Sequence, residues 1–386
     1  MDLTGLKYLV VGAGFYGAVI AERIGSVLGE KVLVIDKRDH IGGNSWSEID
    51  PATGIEVHKY GSHIFHTAHE PTWAYINRFT RFNTYRHRVL TTYRGKVHTM
   101  PINLMTINSY YGINLRPGEV AEFLAGEIRR LNLGPNPANL EEKALSLVGR
   151  PLYEAFIRGY SMKQWGRDPR ELPASIIARL PVRNRYDDAY FDDPHQGIPV
   201  EGYAAIFRKI LAHPLIDVQL GVDFFELRAR VPAETRVIYT GPLDRFFDYK
   251  HGVLGWRTLR FEREVVEVAD YQGTSVMNYA DEEIPFTRIH EFKHYHPERK
   301  YLERNPQTVL FREYSLPAGR DMTPYYPVNS AEDSAMLERY KLERDRQPNV
   351  IFGGRLGSYK YVDMDVTIAA ALKTFDDKIR AGTHVS

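Results

Sequence analysis

The chain has 386 residues, enough for two or three domains of ordinary size. Its formal net charge is only +1, so bulk charge gives no support to a nucleic-acid or membrane-surface partner. Cysteine is absent, which excludes disulfide bonds, thiol catalysis and thiolate metal sites. No signal peptide and no long apolar run is evident, so we expect a soluble cytoplasmic enzyme.

The first predicted unit consists of a strand, a glycine turn, a helix and a second strand. The strand is expected over Tyr8–Val11, the helix from near Tyr16 and the second strand over Val32–Ile35. The spacing G-x-G-x-x-G allows a tight turn and a close approach to a pyrophosphate, and the helix N-terminus offers free N–H groups. An acid about 20 residues later suits a ribose. The pattern predicts a dinucleotide site at Gly12, Gly14, Phe15, Gly17 and Asp36.

A second glycine pair follows, in Ile41-Gly42-Gly43-Asn44, and it favours FAD over NAD because it lets the backbone approach a flat or charged group. Lys37, Gly43, Asn44 and Tyr60 complete this side of the predicted cofactor site. His63 and His66 stand three residues apart, but no third ligand is evident, so no metal site is predicted. The alternative that these histidines line a flavin pocket remains open.

Residues 117–166 have helical spacing of apolar residues, with a break at Leu133–Pro137 and a helix cap at Asn139. The aromatic stripe that begins after Pro151 indicates core, and Leu152 is expected to be buried. Gly166–Pro173 has one glycine, two prolines and four charged residues, which is typical of a mobile surface loop. Flanked by Trp165 and Arg179, it is either a lid over an anionic ligand or a plain inter-helix loop.

Short strands follow, and we expect them at Asp217–Leu220, Val237–Thr240, Thr258–Glu262, Glu264–Val268, Ser275–Tyr279 and Val350–Phe352. Val237–Gly241 has the pattern of a buried strand that returns to the first sheet. A last helix begins near Asp365, with a buried face of Val366, Ala369, Ala370, Leu372 and Phe375. The predicted fold is α/β: a discontinuous Rossmann-like domain with a helical insertion domain and an antiparallel β-sheet domain.

The predicted domain bounds follow from this order. The FAD-binding domain takes residues 1–75, 200–245 and 345–386. The helical domain takes 100–180, with the lid at about 165–178. The sheet domain takes 76–99, 181–199 and 246–344.

Several long stretches make the chain resemble the bacterial UDP-galactopyranose mutase family almost from end to end. They include G-A-G-F-Y-G-A-V-I, R-D-H-I-G-G-N, H-I-F-H-T, L-Y-E-A-F-I-R-G-Y-S-M-K-Q-W-G, R-L-P-V-R, Y-T-G-P-L-D, T-R-I-H-E-F-K-H, P-Y-Y-P-V and G-R-L-G-S-Y-K-Y-V-D-M-D. The resemblance implies interconversion of UDP-galactopyranose and UDP-galactofuranose for cell-surface glycans, without net redox change. It further implies that N5 of reduced FAD attacks the anomeric carbon.

The resemblance also assigns site residues. It makes Arg179 and Arg288 the diphosphate-binding arginines and places His63 beside the flavin as a third catalytic residue. The implied substrate-binding residues are Phe156, Tyr160, Trp165, Tyr190, Asn278, Tyr326, Tyr361 and His87. The flavin-side residues are Gly241, Arg355, Asp363 and Met364. The implied partners are a UDP-sugar, an external reductant such as NAD(P)H and a second copy in a homodimer.

Three positions depart from the family pattern. Ser62 stands where proline is frequent, Tyr16 replaces a smaller residue, and His87 stands where many members have asparagine. They leave the sugar open, with UDP-N-acetylgalactosamine and dTDP-fucose as alternatives. Two alternatives differ from a mutase in the kind of activity. One is a flavin oxidoreductase of the amine-oxidase type, and the other is a nucleotide-sugar sensor without turnover.

Overall fold

A computed structural model of the chain describes residues 2–177 and 181–381. The strands are β1 Tyr8–Val11, β2 Val32–Asp36, β3 Ser47–Ile49, β4 Glu56–His58, β5 Phe65–Thr67, β6 Val89–Tyr93, β7 Lys96–Met100, β8 His195–Gly197, β9 Ile216–Leu220, β10 Arg236–Tyr239, β11 Trp256–Val266, β12 Val276–Tyr279, β13 Arg288–Glu291, β14 Thr308–Pro317, β15 Tyr326–Pro327 and β16 Val350–Phe352.

The helices are α1 Phe15–Arg23, α2 Glu70–Ile76, α3 Leu104–Tyr111, α4 Val120–Arg129, α5 Leu140–Leu152, α6 Gly159–Trp165, α7 Tyr203–Ile210, α8 Phe224–Leu227, α9 Leu243–Phe246, α10 Tyr301–Arg304, α11 Ala331–Arg344, α12 Gly354–Gly357 and α13 Met364–Thr374. Wider π-helical turns extend α1, α5 and α13 over Ile24–Leu28, Tyr153–Arg158 and Phe375–Arg380. Within the described ranges, no helix is both long and apolar enough to cross a bilayer.

The first sheet is parallel and has the strand order β16-β10-β1-β2-β9. Its strands come from three separate segments of the chain, and β10 and β16 join it as the sequence predicted. Alternate residues of β1 belong to two apolar cores on opposite faces of the sheet. Val10 packs on the side of α1 and α13, and Leu9 packs on the opposite side. The Rossmann-like prediction is therefore confirmed, whereas the exact domain bounds stay a prediction.

The second sheet has the order β15-β11-β14-β13-β12-β6-β7. Its pairs are antiparallel except β6 with β12, which run parallel. Two strands were predicted where the structure has the single strand β11, and that prediction is wrong. The ladder with β14 continues without a break from Arg257 opposite Pro317 to Val266 opposite Thr308, because no turn residue interrupts Glu262–Glu264.

The helical unit, α3 to α6, packs around its own apolar core. The Asn139 side chain accepts a hydrogen bond from the backbone N–H of Glu142, which confirms the predicted cap. Gly149 has φ of 75° inside α5, so the chain kinks there and Pro151 starts a new helical run. Leu152 is fully buried, as predicted.

The last helix buries a narrower stripe than predicted. Ile368, Ala371 and Phe375 are buried against α1, whereas Val366 is 48% exposed and Ala370 is also exposed. The prediction for Val366 and Ala370 is wrong because only one face of α13 meets α1.

Candidate functional site

A cleft opens where β1, β2 and β10 end, at the edge of the parallel sheet where nucleotides bind in this class of fold. Among the predicted cofactor residues, those that line it are Gly12, Gly14, Phe15, Gly17, Asp36, Lys37, Gly43, Asn44, His63, Gly241, Arg355 and Met364. Tyr60 is not among the lining residues, and its hydroxyl lies 2.6 Å from Nε2 of His40. Asp363 precedes the first residue of α13.

Two glycines of the cleft, Gly12 and Gly17, cannot be replaced without a clash. A Cβ on Gly12, whose φ is 109°, would lie 2.0 Å from Oγ1 of Thr240. A Cβ on Gly17 would lie 2.0 Å from the carbonyl oxygen of Gly12. One on Gly43 would lie 3.3 Å from Cα of Gly14, so two backbone segments meet at van der Waals distance here. The floor of the cleft is therefore bare backbone, which suits a flat or phosphorylated ligand.

Asp36 braces the turn as well as facing the cleft. Its Oδ2 accepts a hydrogen bond from the Ala13 N–H at 2.9 Å, and its Oδ1 accepts one from the Arg38 N–H at 3.0 Å. Each carboxylate oxygen keeps a second lone pair. Its predicted contact with a ribose stays a prediction, and its structural role explains why an acid is needed at this position.

Positive charge gathers at the same end of the cleft. Burial and the nearby Arg245 and Arg38 charges lower the pKa of Lys37. Nη1 of Arg38 is buried without a hydrogen-bond partner in the described chain, although Nη2 donates to Asn44 at 2.7 Å. A buried guanidinium nitrogen without an acceptor, in the same cleft as the free N–H groups of α1, fits an anionic ligand. These residues accordingly fit the diphosphate of a dinucleotide cofactor.

His63 is a neutral side chain on the cleft wall. Its Nδ1 lies 2.8 Å from the carbonyl oxygen of Gly61, which can only accept, so Nδ1 carries the proton. Burial lowers the pKa of His63 to about 4, although the bond to Gly61 opposes the shift and the Arg355 charge adds to it. At neutral pH its Nε2 therefore presents a lone pair and not a charge.

A second polar surface lies on the mixed sheet. Arg288 on β13 stands directly opposite Asn278 on β12 and Glu313 on β14, and residues opposed in this way share one face of a sheet. Nε of Arg288 lies 3.1 Å from Oε1 of Glu313. Oδ1 of Asn278 is buried without a hydrogen-bond partner in the described ranges. The surface thus holds a cation paired with one carboxylate and an acceptor that a ligand could satisfy.

Tyrosines surround this arginine. Nη2 of Arg288 donates a hydrogen bond to the Tyr160 hydroxyl. Ring centroids of Tyr326 and Tyr361 lie 5.5 Å apart, and the Arg355 guanidinium stacks over Tyr361 at 4.5 Å. Trp165 meets the edge of Tyr326 at 6.5 Å. Because Arg355 also lines the cleft, this aromatic wall joins the arginine surface to the cofactor cleft.

The remaining predicted substrate residues differ in their setting. Tyr190 is 45% exposed, and its ring meets the edge of the buried His87 at 5.1 Å. Phe156 is only 4% exposed and packs among aromatic rings in the helical core. Its contact with uracil stays a prediction. Arg179 lies outside the described residues.

The predicted mobile loop is partly anchored. Pro169 and Leu172 are buried, and the carbonyl oxygen of Leu172 accepts a hydrogen bond from the Leu140 N–H at 2.9 Å. Asp168 caps a short 3₁₀ turn over Pro169–Glu171. A lid function for this segment stays a prediction.

Sequence analysis missed two charged residues that shape the site, Arg38 and Glu313. Glu313 is 2% exposed and stands two and four residues after Phe311 and Val309, which pack in one apolar core, so its position on that face of β14 was a usable signal. Although burial disfavours a charged carboxylate, Arg288 and His290 together hold the pKa of Glu313 below its ordinary value. The carboxylate therefore stays ionised at neutral pH.

Comparison with known proteins gives consistent results. A family model described as UDP-galactopyranose mutase matches residues 155–361, and one described as NAD(P)-binding Rossmann-like domain matches residues 10–79. The chain is 45% identical to the "Probable UDP-galactopyranose mutase" of Klebsiella pneumoniae, across 96% of this chain and 94% of that protein. It is 41% identical to the dTDP-fucopyranose mutase of Escherichia coli, across 95% and 97%.

A crystal structure of reduced UDP-galactopyranose mutase has the same fold. The TM-score is 0.76 at 16% identity, with 99% of this chain and 95% of that chain covered.

Proposed function

Because the chain belongs to the UDP-galactopyranose mutase family, we propose that it interconverts the pyranose and furanose forms of UDP-galactose. Reduced FAD as the cofactor, an external reductant such as NAD(P)H and a homodimeric assembly are parts of this proposal. The furanose product would supply the synthesis of cell-surface galactofuranose glycans.

The observation that carries the proposal is the setting of Arg288. Its guanidinium is bonded to Tyr160 and faces a single carboxylate, Glu313, so its five N–H groups are only partly used. A planar fork of donors with permanent charge matches the oxygens of a diphosphate. The unpaired acceptor of Asn278 on the same face of the sheet suits a donor group elsewhere on the nucleotide, since a diphosphate has no proton to donate. The donors of Arg288 support the proposal of a diphosphate site on this sheet.

The cofactor and the protein have separate roles in the proposed reaction. FAD, when bound and reduced, supplies a nucleophilic nitrogen for the anomeric carbon. Residues of the chain hold the departing diphosphate, so that the same group can attack again after the sugar ring has changed size. Arg288 and Tyr160 do this from β13 and α6, and we assign Arg179 to the same task from the sequence. Tyr326, Tyr361 and Tyr190 add hydroxyl donors.

The remaining assignments concern orientation. His63 offers an acceptor nitrogen on the cofactor side, fixed by its bond to Gly61. Arg355 donates to the carbonyl oxygen of Val362 at 2.9 Å while stacking on Tyr361, so it couples the cofactor cleft to the substrate wall. The bare glycine floor and Arg38 hold the cofactor diphosphate.

A second candidate substrate is dTDP-fucose, because a relative with 41% identity is named dTDP-fucopyranose mutase. The two substrates differ at the sugar C6, at the ribose C2′ and at the base, while the diphosphate is common to both. The diphosphate site therefore does not distinguish them.

The test is conversion of a furanose substrate by the reduced protein. The flavin-loaded protein is incubated with UDP-galactofuranose or dTDP-fucofuranose, with and without dithionite, and the products are separated by anion-exchange chromatography. We expect pyranose only after reduction, faster from UDP-galactofuranose. Absence of conversion of either substrate under reduction would rule the proposal out.

A further inference from the structure

A lysine on α6 holds the connection between β12 and β13. Nζ of Lys163 donates hydrogen bonds to three backbone carbonyl oxygens, those of Tyr279 at 2.7 Å, Asp281 at 2.7 Å and Phe286 at 3.2 Å. An ammonium group has three N–H donors and no acceptor, so three carbonyl oxygens use all of them. The charged end of this half-buried side chain is therefore fully engaged by backbone.

The three carbonyl groups belong to both sides of the connection. Tyr279 is the last residue of β12, and it directly follows Asn278. Phe286 lies two residues before Arg288, which is the first residue of β13. Lys163 therefore binds the backbone beside both polar residues of this surface of the sheet.

The body of α6 lies close against the same connection. Gly159 is four residues before Lys163 and shares its face of the helix. A Cβ on Gly159 would lie 2.3 Å from the carbonyl oxygen of Ala280. Just before the helix, Nη1 of Arg158 donates to Oε1 of Glu282 at 2.7 Å. The helix and the connection thus meet backbone to backbone, and Lys163 bonds one to the other.

The helix also carries a residue that contacts the guanidinium of the candidate site. Tyr160 is three residues before Lys163, and its hydroxyl accepts a hydrogen bond from Nη2 of Arg288. At the end of α6, Nε of Arg257 on β11 donates to the Gln164 carbonyl oxygen at 3.0 Å, a contact that does not involve β13. The distance between Tyr160 and Arg288 therefore depends on the bonds that Lys163 makes beside β13.

We propose that Lys163 is a positioning residue, which ties α6 to the β12–β13 connection and so holds Tyr160 against Arg288 where the diphosphate binds. Lys163 acts through these two residues and not on the ligand, because its three N–H groups are already bonded to backbone. Donors that are oriented before the ligand arrives stabilise its charge without further rearrangement. The inference rests on the proposed function for the identity of the ligand.

The attachment depends on the charge of Lys163, because a neutral amine has only two N–H groups and one lone pair. Burial lowers the pKa of Lys163 to about 8. The acidic groups that oppose this shift are Asp281, Glu283 and Glu282. Two cations lie nearby: Arg158 pairs with Glu282, and Nη2 of Arg257 donates to the Lys163 carbonyl oxygen at 3.4 Å. Above about pH 8 a lone pair should face one of the three carbonyl oxygens and weaken the attachment.

The first experiment measures UDP binding to the oxidised, FAD-loaded protein by isothermal titration calorimetry. Lys163→Met keeps an unbranched side chain and removes the three donors. We expect this variant to bind UDP about 10-fold more weakly than wild type, as when a hydrogen bond to a charged group is lost. Lys163→Gln keeps two N–H donors and should bind with intermediate affinity, and it decides the question where the methionine variant fails to fold. Wild-type affinity in the folded variants would overturn the proposal.

Lys293→Met is the matched control. Lys293 is 1% exposed, and its Nζ donates to the carbonyl oxygens of Ala269 and Asn305, both at 2.7 Å. It lies beyond Glu291, the last residue of β13, whereas Arg288 is the first. This variant should lose stability and keep the wild-type affinity for UDP. An equal loss of affinity in both methionine variants would show a general structural effect and would overturn the positioning role.

The second experiment measures how UDP binding depends on pH, which a packing defect alone would not change. The Kd for UDP is determined from about pH 7 to about pH 9, across the lowered pKa of Lys163. We expect the Kd to rise in wild type and in Lys293→Met, and this rise to be absent from both Lys163 variants. Ionisation of UDP itself is common to all four proteins. A rise of equal size in all of them would contradict the proposal.

Hydrogen exchange tests the attachment of α6 and needs no ligand. The amides of residues 159–165 should exchange faster in Lys163→Met than in wild type and should keep their wild-type rates in Lys293→Met. Unchanged exchange in Lys163→Met would show that the lysine does not hold the helix. Absence of UDP binding by wild type would refute the proposed function together with the ligand assignment, whereas the exchange result would stand.

Discussion

Arg288 shows how one residue depends on its neighbours. Its charge is balanced by Glu313, and its direction is set by the ion pair on one side and the Tyr160 hydroxyl on the other. A partly buried charge pair of this kind adds little net stability, but it fixes where a guanidinium points. Orientation is what a leaving diphosphate needs, because the donors must already face the oxygens on which charge develops.

Replacing Arg288 with lysine keeps the charge and removes the planar fork. We expect turnover of the reduced protein to fall about 100-fold or more, as when a donor to a developing anion is lost. FAD content should stay unchanged, because Arg288 lies outside the lining of the cofactor cleft. Turnover is measured by chromatography and FAD by absorbance; loss of FAD with the lysine variant would contradict the assignment.

A substitution at Gly17 tests, again at the scale of one residue, whether the glycine turn holds the cofactor. Gly17→Ala places a Cβ 2.0 Å from the Gly12 carbonyl oxygen, so the turn must open and FAD should be lost on gel filtration. Gly118→Ala is the matched control because no atom lies within 4 Å of its added Cβ. FAD retention by the Gly17 variant equal to that of the control would show that the turn does not hold the cofactor.

At the scale of an element, α6 carries Tyr160 and Trp165 to the site and ends in a left-handed glycine. Gly166 has φ of 65°, and its N–H donates to the carbonyl oxygen of Met162 at 2.7 Å. Beneath it, Nε of the buried Arg257 donates to the carbonyl oxygen of Gln164 at 3.0 Å. The end of this helix is thus fixed by a glycine above and an arginine below.

Two helix-terminal glycines separate backbone strain from packing. Gly112 ends α3 with φ of 67° and open space around it, so Gly112→Ala should cost only the left-handed penalty of about 1 kcal/mol. Gly166→Ala adds a Cβ 2.7 Å from Nη1 of Arg257 and should cost more. Urea denaturation followed by fluorescence measures the free energy of unfolding of both variants. Equal losses of stability would mean that the Arg257 side chain moves aside without cost.

Local rules predicted the elements better than the site. The glycine turn and β1 follow from nearest neighbours in sequence, and β1 has its predicted bounds. Ser62 and His290, by contrast, are bonded across 228 positions of the chain. That contact depends on how the segment after β4 meets the second sheet, which no local pattern encodes. Arg288 was named by resemblance, but its partner Glu313 was not.

At the scale of the whole molecule, buried histidines link stability to pH. Burial lowers the pKa of His63 to about 4 and that of His87 to about 3, from an ordinary value of 6.5. As pH falls below 6.5, the unfolded chain takes up protons that the folded chain does not, so the free energy of unfolding falls.

This linkage predicts a shallower pH dependence when one such histidine is removed. Between about pH 6 and pH 5, His87→Asn should reduce the slope of unfolding free energy against pH by up to about 1.4 kcal/mol per unit. Denaturant titrations with excess FAD at several pH values give the slopes. Parallel lines for variant and wild type would show that His87 is not held neutral in the fold.

The three parts of the molecule meet at one place. The parallel sheet supplies a cofactor cleft, the mixed sheet supplies Arg288 and Glu313, and the helical unit supplies Tyr160 and Trp165. On this account the protein is a mutase because a reduced cofactor and a diphosphate site face each other. The diphosphate held there attacks the sugar again, so the reduced cofactor is regenerated in every cycle. An oxidoreductase on the same fold would instead consume an electron acceptor.

The most direct test is to count turnovers per equivalent of reductant. Protein reduced with one equivalent of dithionite under argon is given excess UDP-galactofuranose, while product and flavin absorbance are followed together. The account predicts many product molecules per flavin, with the flavin still reduced at the end. Product limited to one per flavin, with the flavin oxidised in step, would contradict it.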